Sequence, residues 1–296
     1  MNSKRKEANK MKYEGKYVQI MAMSECPNNC EHCFIHYKGH INFDELDTMM
    51  DNYSKDYRVI LNGTELLMNN KYLELCNKYN QNFIYTNGML LTPEKMEVLK
   101  KNNINRITMS LHYGIQEQIS KIGLEETAKL IKETIANGFE VRVLCTIDRD
   151  NYKLLPEIAE YVKSLGVKSL KFINMLKEGK AENNIGDVFL NQEEIYEFFD
   201  ILYDVRKKYD PKEFYVTRNG AFGDDKGNKN NFTCPAGKDW VLLTPDHRVF
   251  PCNGLQYDEY CIGHWNDEGV YIDKPFEHDR KECYVLKRQL KMLSNK

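Results

Sequence analysis

The sequence predicts an α/β protein: a partial barrel of six strand–helix units, followed by a small domain built from a β-hairpin and a helix. Three observations carry this. From residue 17 onward, short apolar runs rich in Val, Ile, Tyr and Phe alternate with longer stretches of helical period. Strands that alternate with helices in this way run parallel, because each strand returns through a crossover. Six such units within residues 17–180 suit an open (β/α)6 barrel better than a full eight-unit barrel, for which about 250 residues is typical. Third, the pattern changes at residues 219–233, NGAFGDDKGNKNNFT, a polar Gly- and Asn-rich linker, after which DWVLLTPDHRVFPCNG reads as a hairpin.

The elements follow in order. The basic stretch at 1–16 lacks an apolar core and is expected to be a loosely docked tail rather than a secretory signal. Strands are expected at Tyr17–Met23, Tyr57–Asn62, Asn82–Asn87, Arg106–His112, Glu140–Ile147 and Ser169–Leu176. Thr92-Pro93 gives a helix an N-cap followed by proline at its first position. Leu124, Ala128, Ile131 and Ile135 share one helical face that stops at Asn137-Gly138, and a helix at Leu154–Leu165 stops at Gly166. Asn191 with Glu194 forms a capping box for a further helix. The organisation expected is therefore a tail at 1–16, a core at 17–180, a bridging segment at 181–229 and a small domain at 230–296.

Composition excludes several classes. A formal net charge of −2 gives no reason to expect nucleic-acid or acidic-membrane binding. No window holds eighteen consecutive apolar residues, so no spanning helix is expected. Nine cysteines in a chain expected to be cytoplasmic point to metal binding rather than disulfides, since that compartment keeps thiols reduced. They fall into an early group (Cys26, Cys30, Cys33), a late group (Cys234, Cys252, Cys261, Cys283) and two outliers, Cys76 and Cys145, expected to be small core residues.

The early group is spaced CxxxCxxC within SECPNNCEHCFIH, directly after the first strand. In parallel α/β folds chemistry sits at the C-terminal ends of the strands, so this loop is well placed for a site. Three thiolates suit a four-iron cluster that keeps one iron open. With His36 as fourth ligand they also suit zinc. The late four thiols suffice for zinc or for a fully ligated cluster, but none is separated from another by only two to four residues, as zinc ligands usually are. Alternation along the expected strands puts Thr108, Ser110 and His112 on one face, and puts Arg142 inward on the next strand, as a partner for a ligand carboxylate or as a structural ion pair.

Taken in order, these motifs resemble the radical S-adenosylmethionine (SAM) superfamily. There CxxxCxxC after the first strand of a partial (β/α)6 barrel holds a [4Fe–4S] cluster whose open iron binds the amino and carboxylate groups of SAM. Asn62-Gly63-Thr64-Glu65 stands where the family has Gly-Gly-Glu-Pro, and Ser110 stands in the Ser-Leu-Asp-Gly position, with His112 replacing the Asp. The resemblance implies cluster ligands Cys26, Cys30 and Cys33, and cofactor contacts at Phe34, Gly63, Thr64, Glu65, Asn87, Ser110 and Arg142. Beyond the linker, Cys-Pro-Ala-Gly, a hairpin ending in Pro-Cys and a following Ile-Gly resemble the SPASM/Twitch extension, with Asp246-His247 where the family has Asp-Gly. That implies one auxiliary [4Fe–4S] cluster on Cys234, Cys252, Cys261 and Cys283.

The resemblance implies an oxidoreductase or maturase that cleaves SAM to a 5′-deoxyadenosyl radical and takes hydrogen from an unactivated C–H bond. An electron donor such as flavodoxin or ferredoxin is implied as a partner. The substrate expected is a ribosomally made peptide, with a small alcohol such as an aminocyclitol or sugar as the alternative. Sixteen residues before the first strand are fewer than the leader-binding module of crosslinking relatives, which weakens the crosslinking reading without removing it, since smaller peptide epimerases lack the module. Tyr215, Arg218, Phe222, Asp224 and Asp225 are read as a substrate-facing loop or a solvated linker. A non-catalytic zinc protein is the reading from another class.

Overall fold

The computed structural model describes residues 11–219 and 233–294. Its strands are β1 (Met11–Lys12), β2 (Tyr17–Met21), β3 (Arg58–Asn62), β4 (Phe83–Thr86), β5 (Arg106–Ser110), β6 (Glu140–Ile147), β7 (Ser169–Asn174), β8 (Tyr215–Arg218), β9 (Trp240–Leu243), β10 (Arg248–Phe250), β11 (Gly263–Asn266) and β12 (Gly269–Ile272). The helices are α1 (Phe43–Tyr53), α2 (Asn70–Lys78), α3 (Pro93–Lys101), α4 (Gln116–Ile119), α5 (Leu124–Ala136), α6 (Leu155–Ser164), α7 (Ala181–Asn184), α8 (Gln192–Lys207) and α9 (Tyr284–Ser294). The chain forms two compact units. One holds the described residues up to Glu25, with His36–Gly63 and Pro235–His278; the other holds Cys26–Ile35, Thr64–Cys234 and the stretch from Asp279 onward.

The first unit is a sheet in the order β1-β12-β11-β10-β9-β2-β3. β2 pairs in parallel with β3 and with β9, and the other ladders are antiparallel. The hairpin therefore belongs to the same sheet as the first strand, and the compact grouping crosses the boundary expected at residue 230. Val241, Leu242 and Leu243 are consecutive and all buried, as in a strand covered on both faces. The expected tail is also docked from Met11: β1 pairs with β12, and the buried Tyr13 donates its backbone N–H to Val270 O at 2.8 Å. Asn42 caps α1, accepting from Glu45 N, and the helix buries Leu46, Met49, Met50 and Tyr53.

The second unit is a five-stranded parallel sheet, β4-β5-β6-β7-β8. β6 spans the expected Glu140–Ile147, while β5 stops at Ser110 and β7 at Asn174, each short of its expected end. β8 lies in the segment expected to bridge domains and completes the sheet beside β7. Local signals fix the connections. Thr92 and Asn191 accept from backbone amides as N-caps, the latter within a reciprocal capping box with Glu194. Leu170 and Phe172 of β7 are buried, and Phe172 meets Phe198 of α8 edge-on. Cys76 and Cys145 are buried in this unit's core.

Candidate cofactor site

Cys26, Cys30 and Cys33 lie on one loop of the second unit, which is pinned at both ends. In front, the buried Asn28 accepts from Lys121 N at 3.0 Å and donates to Ser120 Oγ, while Lys121 Nζ donates to Pro27 O. Asn29 takes a φ of 50°, which Asn tolerates better than most residues, and turns the loop toward Cys30. Behind, Lys180 N donates to Cys33 O at 2.9 Å, Lys180 Nζ bonds Asn29 Oδ1, and Asn184 Nδ2 donates to Glu31 Oε2 at 2.6 Å. Gly179 makes this approach feasible. Its φ is +60°, and a Cβ there would stand 2.8 Å from the carbonyl carbon of Phe34. Between the pins, the His32 ring meets the buried His112 ring edge-on at 5.4 Å. His112 Nδ1 accepts from Thr146 N at 3.0 Å, and burial holds both imidazoles neutral, His32 down to about 4.

The three thiols are half-buried. Burial pushes the Cys30 thiol up to about 12, with the charges of Cys33 and Cys26 adding to the rise. Burial likewise raises Cys26, while the backbone amides of Asn28 and Asn29 oppose it. Three neighbouring thiolates out of water need a positive centre to share, which is what iron supplies in a cysteine-held cluster. The donor chemistry fits that group. Among the described residues no three His, Cys, Asp or Glu side chains gather as ligands of a single ion.

The stretch after β3 meets the stretch after β4 through Glu65. Its carboxylate is fully buried and accepts from Thr86 Oγ1 at 2.8 Å, Asn87 N at 3.1 Å and Leu67 N at 3.3 Å. Desolvation raises its pKa, and those three donors oppose the rise. Asn87 in turn accepts from Met89 N through Oδ1 at 2.9 Å and donates through Nδ2 to Cys26 Sγ at 3.3 Å. Gly88 follows at φ +91° and donates its N–H to Thr86 Oγ1.

The other residues singled out in the sequence are distributed as follows. Ser110 ends β5, half-buried; Phe34, half-buried, directly follows Cys33, and the half-buried Thr64 opens the next segment of the same unit. Gly63 closes the other unit's segment, its N–H on Asn62 Oδ1. Arg142 sits near the start of β6 with Nε on Glu140 Oε1 at 2.7 Å. Arg218 lies over Phe199 at 4.3 Å from the ring, on the helix side of the sheet, whereas Phe222, Asp224 and Asp225 lie outside the described residues. Sequence reasoning missed Gly179, Lys180, Asn28 and Lys121. A Gly after an expected strand end was a signal for the first; the others carry no local pattern.

The late cysteines form a pair in each unit. Cys252 and Cys261 flank the antiparallel ladder of β10 and β11: Gly254 N donates to Cys252 Sγ, and Cys261 Sγ–H donates to Gly263 O, each at 3.3 Å. In the second unit Cys234 N donates to Arg280 O at 2.7 Å, and Arg280 Nε returns a bond to Cys234 O at 2.8 Å. That strap holds Cys234 beside the segment leading to Cys283, which immediately precedes α9.

Residues 20–162 match the radical SAM superfamily. The chain is 24% identical to the tungsten-containing aldehyde ferredoxin oxidoreductase cofactor-modifying protein of Pyrococcus furiosus, over 54% of this chain and 52% of that one. It is 21% identical to the AdoMet-dependent heme synthase of Nitratidesulfovibrio vulgaris Hildenborough, over 79% and 72%. Streptococcus suis SuiB, solved with its precursor peptide SuiA, superposes with a TM-score of 0.66 at 14% identity, over 83% of this chain and 61% of SuiB. The fold is thus that of radical SAM partial barrels. The chain spans about half the length of the first relative and less than two thirds of SuiB.

Proposed function

We propose that this protein binds a [4Fe–4S] cluster through Cys26, Cys30 and Cys33, cleaves SAM reductively and modifies a peptide at an unactivated C–H bond. The observation that carries this reading is the thiol loop itself: three half-buried sulfurs on one doubly pinned loop, with an amide N–H donated to one of them. When bound to Cys26, Cys30 and Cys33, the cluster would supply the one electron for reductive cleavage of the SAM C5′–S bond, giving methionine and the 5′-deoxyadenosyl radical that would take a substrate hydrogen atom. The residues of the chain hold and shield. Lys180 and Lys121 fix the loop ends. His32 immediately precedes Cys33, and the neutral His32–His112 pair adds no fixed charge to the ligand loop. Ser110 and the main chain of Phe34 and Thr64, all in the second unit, are the proposed SAM contacts. The carboxylate of Glu65, the amide of Asn87 and the guanidinium of Arg142 are already engaged within the protein.

The peptide substrate draws support from SuiB, solved bound to its precursor peptide SuiA. The names of the two curated relatives, a cofactor-modifying protein and a heme synthase, keep a small-molecule substrate as the second reading. We carry the late thiols Cys234, Cys252, Cys261 and Cys283 as ligands of an auxiliary [4Fe–4S] cluster on their donor chemistry. A flavodoxin or ferredoxin as reductant and a cytoplasmic location complete the proposal. No helix among the described residues is long and apolar enough to cross a membrane.

Anaerobic reconstitution with iron and sulfide tests it. Brown protein with about eight irons, making 5′-deoxyadenosine from SAM under dithionite, is the expected result. Colourless protein holding zinc and inert toward SAM overturns it in favour of a structural metal protein.

A further inference from the structure

Asn87 has an amide whose orientation is fixed by its surroundings. Met89 N donates to Oδ1 at 2.9 Å, so the opposite end of the amide is the NH2, and that end lies 3.3 Å from Cys26 Sγ. The backbone of the same residue is held by Glu65 Oε2, which also accepts from Thr86 Oγ1, and Thr86 Oγ1 accepts from Gly88 N. Apart from the bond to Cys26, every bond in this network is local to two short segments, and the carboxylate at its root is fully buried. Such an assembly has little freedom to swing the amide away. A Cβ at Gly88 would meet Leu130 Cδ2 at 3.0 Å and Met109 Cε at 3.2 Å, and its φ of +91° favours glycine, so the turn that aims Asn87 is tightly seated.

We propose that Asn87 is a positioning residue for the Cys26 sulfur: its N–H raises the reduction potential of the cluster that Cys26 ligates, and Glu65 is the clamp that aims it. This rests on the ligand assignment above and goes beyond it. An electron supplied by an external reductant adds negative charge that the cysteine sulfurs share. A donor directed at a sulfur stabilises the electron-rich form more than the oxidised one, and hydrogen bonds to the sulfurs are among the protein's means of setting such potentials. Asn87 thereby acts through Cys26 without touching SAM, and Glu65 acts through Asn87.

The test is an EPR-monitored redox titration of reconstituted full-length protein, read on the signal that changes when SAM is added. Parent, Asn87→Ala and Asn87→Ser are compared, with iron content measured in each. Both variants lack the amide donor and are expected to keep parent iron while the reduced-to-oxidised ratio at a fixed poise falls about tenfold, a negative shift of about 59 mV for a one-electron couple. Glu65→Gln, which keeps an acceptor oxygen for Thr86 and Asn87, is expected to shift it less. An iron-replete variant with the parent's potential overturns the proposal. So does loss of iron from both variants, which would make Asn87 structural. A parent with no SAM-responsive signal overturns the ligand assignment beneath it, a failure seen before any variant is made.

Discussion

Lys180 and Cys33 are joined backbone to backbone, N–H to carbonyl at 2.9 Å, although 147 positions separate them (180 − 33). The bond makes the segment after β7 part of the cysteine loop's support, and that segment is itself held by α9. Gln289 accepts from Lys177 N at 3.2 Å and donates to Met175 O at 3.1 Å, while Arg288 Nη1 lies 2.6 Å from Glu178 Oε1. Leu293, on the same helix, packs against the buried cluster of Ile115, Ile119, Met175, Ala181 and Phe189. The C-terminal helix thus reaches the ligand loop through one intermediary.

Gly179→Ala is expected to loosen the ligand loop. The φ of +60° disfavours a side chain, and the added Cβ would meet the backbone of Cys33 and Phe34, where no flexible side chain can yield. A stability loss of ~1–3 kcal/mol and weaker iron retention through gel filtration should follow. Parent-like melting and iron content would show that the two backbones separate without cost.

Removal of the Gln289 amide should act at the same place from the other side. Gln289→Ala removes the part-buried bond from Lys177 N and the buried bond to Met175 O, at about 1–3 kcal/mol in total. Hydrogen exchange is the sensitive measurement: amides from Lys177 to Lys180 should exchange faster, while those of β5 and β6 keep parent rates. Uniform acceleration across the unit would mean global destabilisation and no specific support of the loop.

Glu178 gives a pH signature. Burial pushes its carboxyl up from the ordinary 4.5 to about 7, against the opposing pull of Arg288. A carboxyl raised in the folded state binds its proton more tightly there, so its contribution is full below about pH 4.5 and is lost as pH climbs through about 7. Glu178→Gln does not titrate. The melting temperature of the variant relative to the parent should therefore rise between pH 5.5 and 8, by an amount equivalent to at most roughly 3 kcal/mol. Parallel pH profiles for the two proteins would sink the assignment.

The cysteine loop and much of the second unit were legible because their signals are local. CxxxCxxC after an apolar run, Thr92-Pro93, the Asn191–Glu194 box and the bounds of β6 all follow from spacing within a few residues. The inward face that alternation assigned to Arg142 also carries Glu140, two residues earlier, and the ion pair between them was readable from that same period. Distant pairings were not legible. Nothing near Trp240 announces that β9 lies beside β2, and nothing near Gln289 announces the Met175 carbonyl. Glu65 is the instructive case. Its motif marks it as functional, but only the fold shows its oxygens committed to Thr86, Asn87 and Leu67.

The thiols themselves separate the two proposed clusters. Replacing Cys26, Cys30 and Cys33 together with Ala should abolish 5′-deoxyadenosine formation under dithionite and leave about half the iron; continued SAM cleavage would displace the radical site. Single Ala replacements at Cys234, Cys252 and Cys261 should lower iron by up to half and stop substrate turnover while uncoupled SAM cleavage survives, since that needs only the early loop. Cys283→Ala decides the ligand count. Cys283 precedes α9, and the Arg280–Cys234 strap holds its segment beside Cys234, so removing the thiol should behave like removing Cys234. Should Cys283→Ala keep the parent's iron content and turnover, the fourth bond comes from another donor, and a cluster that binds substrate directly becomes the better account of the late thiols.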